Sequence, residues 1–345
     1  MKRPNWIGSL IAIGGVALAA AVGAAALPDN PYQRWQLIEN TLYANATWSY
    51  ERMHFDPAPI DVAIIGSSRA QLGLSAPAVT ARLAALGHPL RVANLAVVED
   101  GRNIEWAIAD ELFRTKHPRV IVLAVEETVH LWGHPGFKYV APAAAIAAPR
   151  ALALHNAKED VPYLPYRQLM LAGAAFAPGW FGLHPRFDPA RFAAKPDDYT
   201  VTRVLADGKR IDMDREVPAP DLRAEREAFA AARSPSHIPE WIGRVTDADD
   251  HVYVDAIARL AAAHGTRIIF LFLPEFEGVT TIADRAFYAA RGTIIDAGDL
   301  AADPRLFQSF AHLNHRGAVI ASDRVAVAVA TTLAPRSAPV TPVTN

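Results

Sequence analysis

The chain has 345 residues, 51% of them hydrophobic and 20% charged, which excludes a disordered chain and allows a sizeable core. A formal net charge of -2 leaves no basic excess to neutralise phosphates, which argues against nucleic acid as the main partner. There is no cysteine, so disulfides, thiol catalysis and cysteine-ligated metal are excluded.

Lys2 and Arg3 precede an uncharged stretch from Trp6 to Leu27, rich in Ala, Leu, Ile, Val and Gly. About 20 such residues in a helix cross a hydrocarbon core of ~30 Å. The positive flank predicts an N-terminus kept in the cytoplasm and a body delivered to the periplasmic or extracytoplasmic side. Residues 1–28 are therefore expected to form a transmembrane signal anchor in the cytoplasmic (inner) membrane. The small residues of "GAAALP" leave open cleavage as a signal peptide, which would release a secreted body. Residues 29–59 read as a juxtamembrane segment. Its aromatics (Tyr32, Trp35, Tyr43, Trp48, Tyr50) either lie among lipid headgroups or pack against the domain. Asn45 in "NAT" matches a glycosylation acceptor, a tripeptide too common to carry weight.

From Asp61 a repeating pattern begins. "DVAIIGS" is a short strand run, and "SAPAVTARLAALG" (75–87) has helical spacing between a Ser start and a Gly stop. "RVANLAV" (91–97) is strand-like, "NIEWAIADELFRTK" (103–116) helical, and "RVIVLAVEE" (119–127) a third strand. Runs apolar on both faces, separated by amphipathic helices, indicate a parallel sheet covered on both sides. The pattern lapses over about 128–245, a stretch rich in Pro, Ala and aromatics that reads as an insertion after strand three. Within it, alanine-rich helical pieces lie near 141–154. "YTVTRVLADGKRIDM" (199–213) predicts a hairpin turning at Asp207-Gly208. The pattern then resumes with a helix over 249–265, whose acidic start is "DADD" (247–250). A strand over 266–276, a strand over 292–300 and a closing helix over 315–333 follow. The expected fold is α/β: a three-layer α/β/α sandwich of flavodoxin-like type over residues 60–333, with about five parallel strands. A disordered tail is expected at 334–345.

In an open parallel sheet, sites form beyond the carboxyl ends of the strands. The polar residues placed there are Ser67, Ser68 and Arg69 after strand one, and Asn94 and Gly101 after strand two. Glu126 and Glu127 follow strand three, and Glu275 follows strand four. Near the C-terminus, "FQSFAHLNHRGA" (307–318) puts His312 in a loop that opens the last helix. From there it could reach over the end of strand one and take the proton of a serine hydroxyl, too weak a nucleophile unaided. The backbone N–H groups of Ser68 and Gly101 could hold the developing oxyanion. Read locally, Gly-Ser-Ser after a strand is a turn and helix cap, His312 a structural loop histidine, and Gly101 a turn glycine. Arg69 is expected to pair with a carboxylate.

These pieces resemble the SGNH (GDSL-type) hydrolase and acyltransferase superfamily, most closely its membrane-anchored DltD-like and AlgJ/AlgX-like branch. The resemblance covers about residues 60–127 and 245–333. The first motif of the superfamily, Gly-Asp-Ser, is matched by Gly66-Ser67-Ser68 and implies Ser68 as nucleophile. The oxyanion glycine after strand two is matched by Gly101 in "NLAVVEDG". The Asp-x-x-His motif with Leu-Asn and Gly after it is matched around His312 by "HLNHRGA". Two departures stand out. Ser309 occupies the position of the motif aspartate, and "AVEET" (124–128) replaces the Gly-x-Asn-Asp motif. Without the aspartate, catalysis could run through a Ser68–His312 dyad, borrow a carboxylate such as Glu126 or Glu127, or be lost.

The resemblance implies an extracytoplasmic serine esterase or O-acyltransferase acting on O-acyl, notably acetyl, groups of a cell-surface polysaccharide. It would need no cofactor and would work beside a membrane-bound O-acyltransferase. The alternative is a catalytically reduced module that binds glycan or docks to that acyltransferase. A phosphate-binding reading of the Gly-Ser-Ser loop lacks the Gly-rich length and lysine of a P-loop. His130, His134, His312 and His315 invite a metal reading, which Gly133 and Pro135 weaken by breaking the helix that i, i+4 ligands require. Trp180, Phe181, Tyr199 and Trp241 in the insertion are expected to pack, with stacking on sugar rings as the alternative.

Overall fold

The structure, a computed structural model, describes residues 6–125, 133–151, 156–204, 210–232 and 240–334. Within these, side chains are left undescribed at 6–9, 203–204 and 240–249. In chain order come α1 (Trp6–Ala25), α2 (Pro31–Gln36), α3 (Asn45–His54), β1 (Val62–Ile65), α4 (Ser68–Gly73), α5 (Ala76–Ala85), β2 (Val92–Asn94), α6 (Arg102–Thr115) and β3 (Val120–Val125). The insertion holds α7 (Phe137–Val140), α8 (Ala143–Ala147), α9 (Ala157–Ala174), α10 (Pro189–Ala194), β4 (Thr202–Val204), β5 (Arg210–Asp212) and α11 (Ala219–Ala232). The chain closes with α12 (Glu240–Ala263), β6 (Arg267–Phe272), α13 (Arg285–Ala289), β7 (Thr293–Asp296), β8 (Phe307–Ser309), β9 (His312–Leu313) and α14 (His315–Leu333).

Five strands form one parallel sheet in the order β2-β1-β3-β6-β7. This is a doubly wound, flavodoxin-like order, and the strand order reverses at β1. The two-sided apolar runs have a direct physical outcome, since alternate residues feed two cores. Ala63, Ile65, Ile121 and Leu123 pack under α6 and α12, against Ile108, Leu112, Tyr253 and Ile257. Val62, Ile64, Val120 and Val122 pack under α5 and α14, against Val79, Leu83, Val325 and Val329. The three-layer α/β/α expectation is thus met.

Local signals fix several element ends. Ser75 caps α5 by accepting the Ala78 N–H at 3.2 Å, and Gly87 stops the segment at φ +82°. β4 and β5 pair antiparallel as the hairpin pattern predicts; its turn, Asp207-Gly208, lies outside the described residues.

Of the two readings of segment 29–59, its aromatics take the packed one: Tyr32, Trp35, Trp48 and Tyr50 are all buried and Trp35 stacks on Tyr50 at 5.3 Å. Asn45 there gives its side-chain N–H to the Ala96 carbonyl at 2.7 Å. One expectation changes. "DADD" lies inside α12 rather than at its start, because the helix already begins at Glu240. Asp250 there pairs with Arg102 at 3.1 Å instead of meeting a helix dipole.

α1 is a 20-residue uncharged helix, exposed on all sides from Leu10 to Ala20. Among residues whose side chains are described, which in this helix begin at Leu10, no helix is long and apolar enough to cross a membrane.

Candidate active site at the sheet's carboxyl edge

β1 ends at Gly66, where any side chain would collide with β3: a Cβ would lie 2.5 Å from the Ala124 Cβ. The chain then turns into α4, and the two serines divide the available roles. Ser67 is the cap, its Oγ accepting the Arg69 N–H at 3.3 Å. Ser68 is the first helical residue, and its hydroxyl is left for another partner.

That partner comes from the far end of the chain. β8 and β9 form a tight antiparallel hairpin turning at Phe310-Ala311, in which Ser309 lies opposite His312. Leu313 is buried in the core beneath α14. Asn314 caps α14 by accepting the Gly317 N–H at 3.1 Å, while its own N–H₂ group donates to the Arg305 carbonyl at 2.8 Å. Gly317 sits where a Cβ would come within 2.6 Å of the Leu306 carbonyl oxygen. Each residue of "HLN" and the following glycine therefore has a physical task in holding the histidine loop.

The hairpin sets His312 Nε2 2.9 Å from Ser68 Oγ, and His312 Nδ1 2.9 Å from Ser309 Oγ. In the tautomer whose Nε2 accepts the Ser68 O–H, Nδ1–H donates to Ser309 Oγ. The result is a serine–histidine–serine relay, with a hydroxyl where a carboxylate is expected.

The relay opens into a cleft of about 460 Å³. One wall is the Arg69–Glu275 ion pair at 2.5 Å, which gives Arg69 the carboxylate partner expected of it. The insertion supplies another wall through Ile211, Arg215, Glu225 and Phe229. No motif announces these residues, because their placement depends on how the insertion folds back over the sheet. Glu225 also accepts the Phe310 N–H at 2.9 Å, so the insertion braces the histidine hairpin directly.

The other candidates fall as follows. Asn94 gives its side-chain N–H₂ to the Ala70 and Leu74 carbonyls at 3.0 and 2.9 Å, fastening α4 to β2 rather than facing the cleft. Gly101 stands behind the cleft wall, whose lining on that side is Val98, Glu99 and Asp100. A Cβ at Gly101 would meet the His134 backbone nitrogen at 2.6 Å. Glu126, Glu127 and His130 lie outside the described residues.

His134 is fully buried. Its Nε2–H donates to the Val98 carbonyl at 2.8 Å and its Nδ1 accepts the Gly136 N–H at 2.9 Å. Burial pushes its pKa down from 6.5 to about 4 despite the Val98 hydrogen bond, so it is neutral and pins the loop that walls the cleft. Arg102, at the start of α6, is buried beside this loop and reaches Glu105 at 2.6 Å, Asp250 at 3.1 Å and the Ala124 carbonyl at 2.7 Å. Burial works against its charge, but the two carboxylates hold its pKa above the usual range. Among the described residues no group of three or more His, Asp or Glu is arranged to hold a metal ion.

Fold and site together define a doubly wound α/β/α domain with a serine–histidine–serine relay at the switch point of its sheet. No protein-family model and no curated protein matches the sequence.

Proposed function

We propose that this protein is a serine esterase or O-acyltransferase, and the observation that carries the reading is the unbroken relay Ser68–His312–Ser309. Ser68 gives its proton to His312 Nε2 as its Oγ attacks an ester carbonyl. The oxyanion forms beside the backbone N–H of Ser68, one of the first-turn donors of α4 that lack an intrahelical acceptor. The ester C–O bond then breaks and the leaving alkoxide takes the proton from His312. A water or a sugar hydroxyl next gives its proton to His312, attacks the acyl-serine and returns the serine to its starting state. Transfer and hydrolysis differ only in that second acceptor. Ser309 holds the imidazole in the useful tautomer throughout.

The resemblance to the anchored SGNH branch supports an O-acyl, notably O-acetyl, group on a cell-surface polysaccharide as substrate. It also supports a membrane-bound O-acyltransferase as partner. The uncharged α1 behind Lys2 and Arg3 supports a body held at the outer face of the cytoplasmic membrane.

The test is turnover of p-nitrophenyl acetate by the full chain, with Ser68→Ala and His312→Ala beside it. Activity lost in both variants is the expected result. Equal background rates in all three would overturn the enzyme reading and favour a module that binds glycan or docks to the acyltransferase.

A further inference from the structure

The insertion carries an apolar surface that the catalytic reading does not use. Between Asp160 and His184 the only charged residue is Arg167. Its side chain is fully buried and turned inward, donating to the Lys138 and Ala141 carbonyls. Exposed on α9 are Tyr166 and Leu169, and on the turns after it Phe176 and Trp180. Leu169 is 57% exposed, Phe176 92% and Trp180 90%, values that leave the two rings uncovered by the described residues. Phe181 covers Gly173, where a Cβ would lie 2.8 Å from its ring, while Trp180 next to it projects outward. Large apolar side chains left exposed this close along one stretch of chain that exposes no charge mark an interaction surface.

What covers it is indicated by its neighbour. α1 touches α9, and the Gln168 side-chain N–H donates to the Leu27 carbonyl just past α1 at 2.6 Å. From Leu10 to Ala20, α1 is exposed all round and carries no charge, the surface of a helix surrounded by hydrocarbon. Tyr166, Leu169, Phe176 and Trp180 share that exposed, uncharged character on the element that α1 touches and the turns after it, and tryptophan and tyrosine favour the level where hydrocarbon meets headgroups.

We propose that the outer face of α9 with Phe176 and Trp180 is a second membrane contact, seated in the lipid interface beside α1. This rests on the membrane reading of α1 and is independent of the esterase reading. Two contacts, unlike a single anchor, stop the domain from swivelling and hold its cleft at a set orientation to the bilayer.

The absence of native cysteine makes the test direct. Full-length Phe176→Cys, Trp180→Cys, Gly14→Cys and Arg82→Cys variants are labelled with an environment-sensitive fluorophore. They are reconstituted into nanodiscs of phosphatidylcholine and phosphatidylglycerol. Gly14 reports on α1, with open space around it, and Arg82 is a solvent-facing control on α5. Labels at 176 and 180 are expected to be quenched by iodide several-fold less than the label at 82, and to be quenched by shallow lipid-borne nitroxides. Labels at 176 and 180 as open to iodide as that at 82, with 14 shielded, would overturn the lipid contact and leave a protein partner for the patch. Iodide access at 14 as well would overturn the α1 reading and the proposal with it. Esterase rates of the same variants separate either result from failure of the catalytic reading.

Discussion

Replacing Ser309 by alanine tests the least expected part of the site. The Ser309 hydroxyl lies 2.9 Å from His312 Nδ1. Before reaction this is a neutral hydrogen bond, with a net value of about 1 kcal/mol. Once His312 has taken the Ser68 proton, the donor is an imidazolium, and such a bond contributes roughly 1.5–3 kcal/mol. Only the difference, about 0.5–2 kcal/mol, lowers the barrier, so Ser309→Ala should reduce kcat by about 2- to 30-fold. KM should stay near the wild-type value, because the lost interaction strengthens only as charge develops. Ser309→Asp, which restores a charged acceptor, should recover the rate or exceed it. The assay is steady-state hydrolysis of p-nitrophenyl acetate with Ser68→Ala as the zero. Wild-type kcat in Ser309→Ala, with Ser68→Ala and His312→Ala inactive, would show that the hydroxyl does not orient the imidazole.

Arg102→Met should destabilise the fold by about 3–5 kcal/mol in urea melts, because it removes the buried cation that Glu105 and Asp250 share. Adding Glu105→Gln should recover part of that loss, and no recovery would place the defect elsewhere. His134 titrates near pH 4 in the folded state and near 6.5 when unfolded, so the unfolded chain binds more protons between these values. Stability should therefore fall as pH drops from 6.5 towards 4, with a slope of up to about 1.4 kcal/mol per pH unit from this group. His134→Gln should flatten that part of a melting-temperature profile; an unchanged slope would assign it to other groups. Gly66→Ala should cost about 1–3 kcal/mol in thermal or chemical melts by forcing its Cβ against Ala124, and a neutral effect would mean that β1 and β3 can move apart.

Much of the sandwich was legible because its signals are local. Two-sided apolar runs such as "VAII" and "VIVLAV" need cover on both faces, and Ser75, Gly87 and Asn314 mark helix ends through their own backbone chemistry. The pairing of Ser68 with His312 was also within reach, since both follow the pattern to the same sheet edge. Three features were not legible, each for a non-local reason. The 29–59 segment has aromatics but no clear period, so nothing in it distinguishes burial from a place among headgroups. "DADD" carries an apparent helix-start signal that the contact between Asp250 and Arg102, 148 residues apart, overrides. Ser309 showed only as a missing aspartate, because its role depends on the tight turn at Phe310-Ala311 that brings it back across from His312.

A hydroxyl at 309 is coherent with the rest of the cleft. The described lining carries Glu99, Asp100, Glu225 and Glu275 against only Arg69 and Arg215. Carboxylates facing the cleft stabilise positive charge as it develops in a transition state, so the group that orients His312 does not itself have to be charged. The same wall selects among substrates. A net excess of two carboxylates, each acting over about 4–8 Å through wet surroundings, disfavours an anionic ester by on the order of 1–2 kcal/mol in total. Neutral p-nitrophenyl acetate should therefore turn over with a kcat/KM about 5- to 30-fold above that of mono-p-nitrophenyl succinate, after correction for their intrinsic hydrolysis rates. The gap should narrow as salt is raised, because exposed charges are screened. A preference for the anionic ester would mean that Arg69 and Arg215, rather than the acidic wall, face the acyl group; the substrate would then be a charged polymer rather than a neutral acylated sugar.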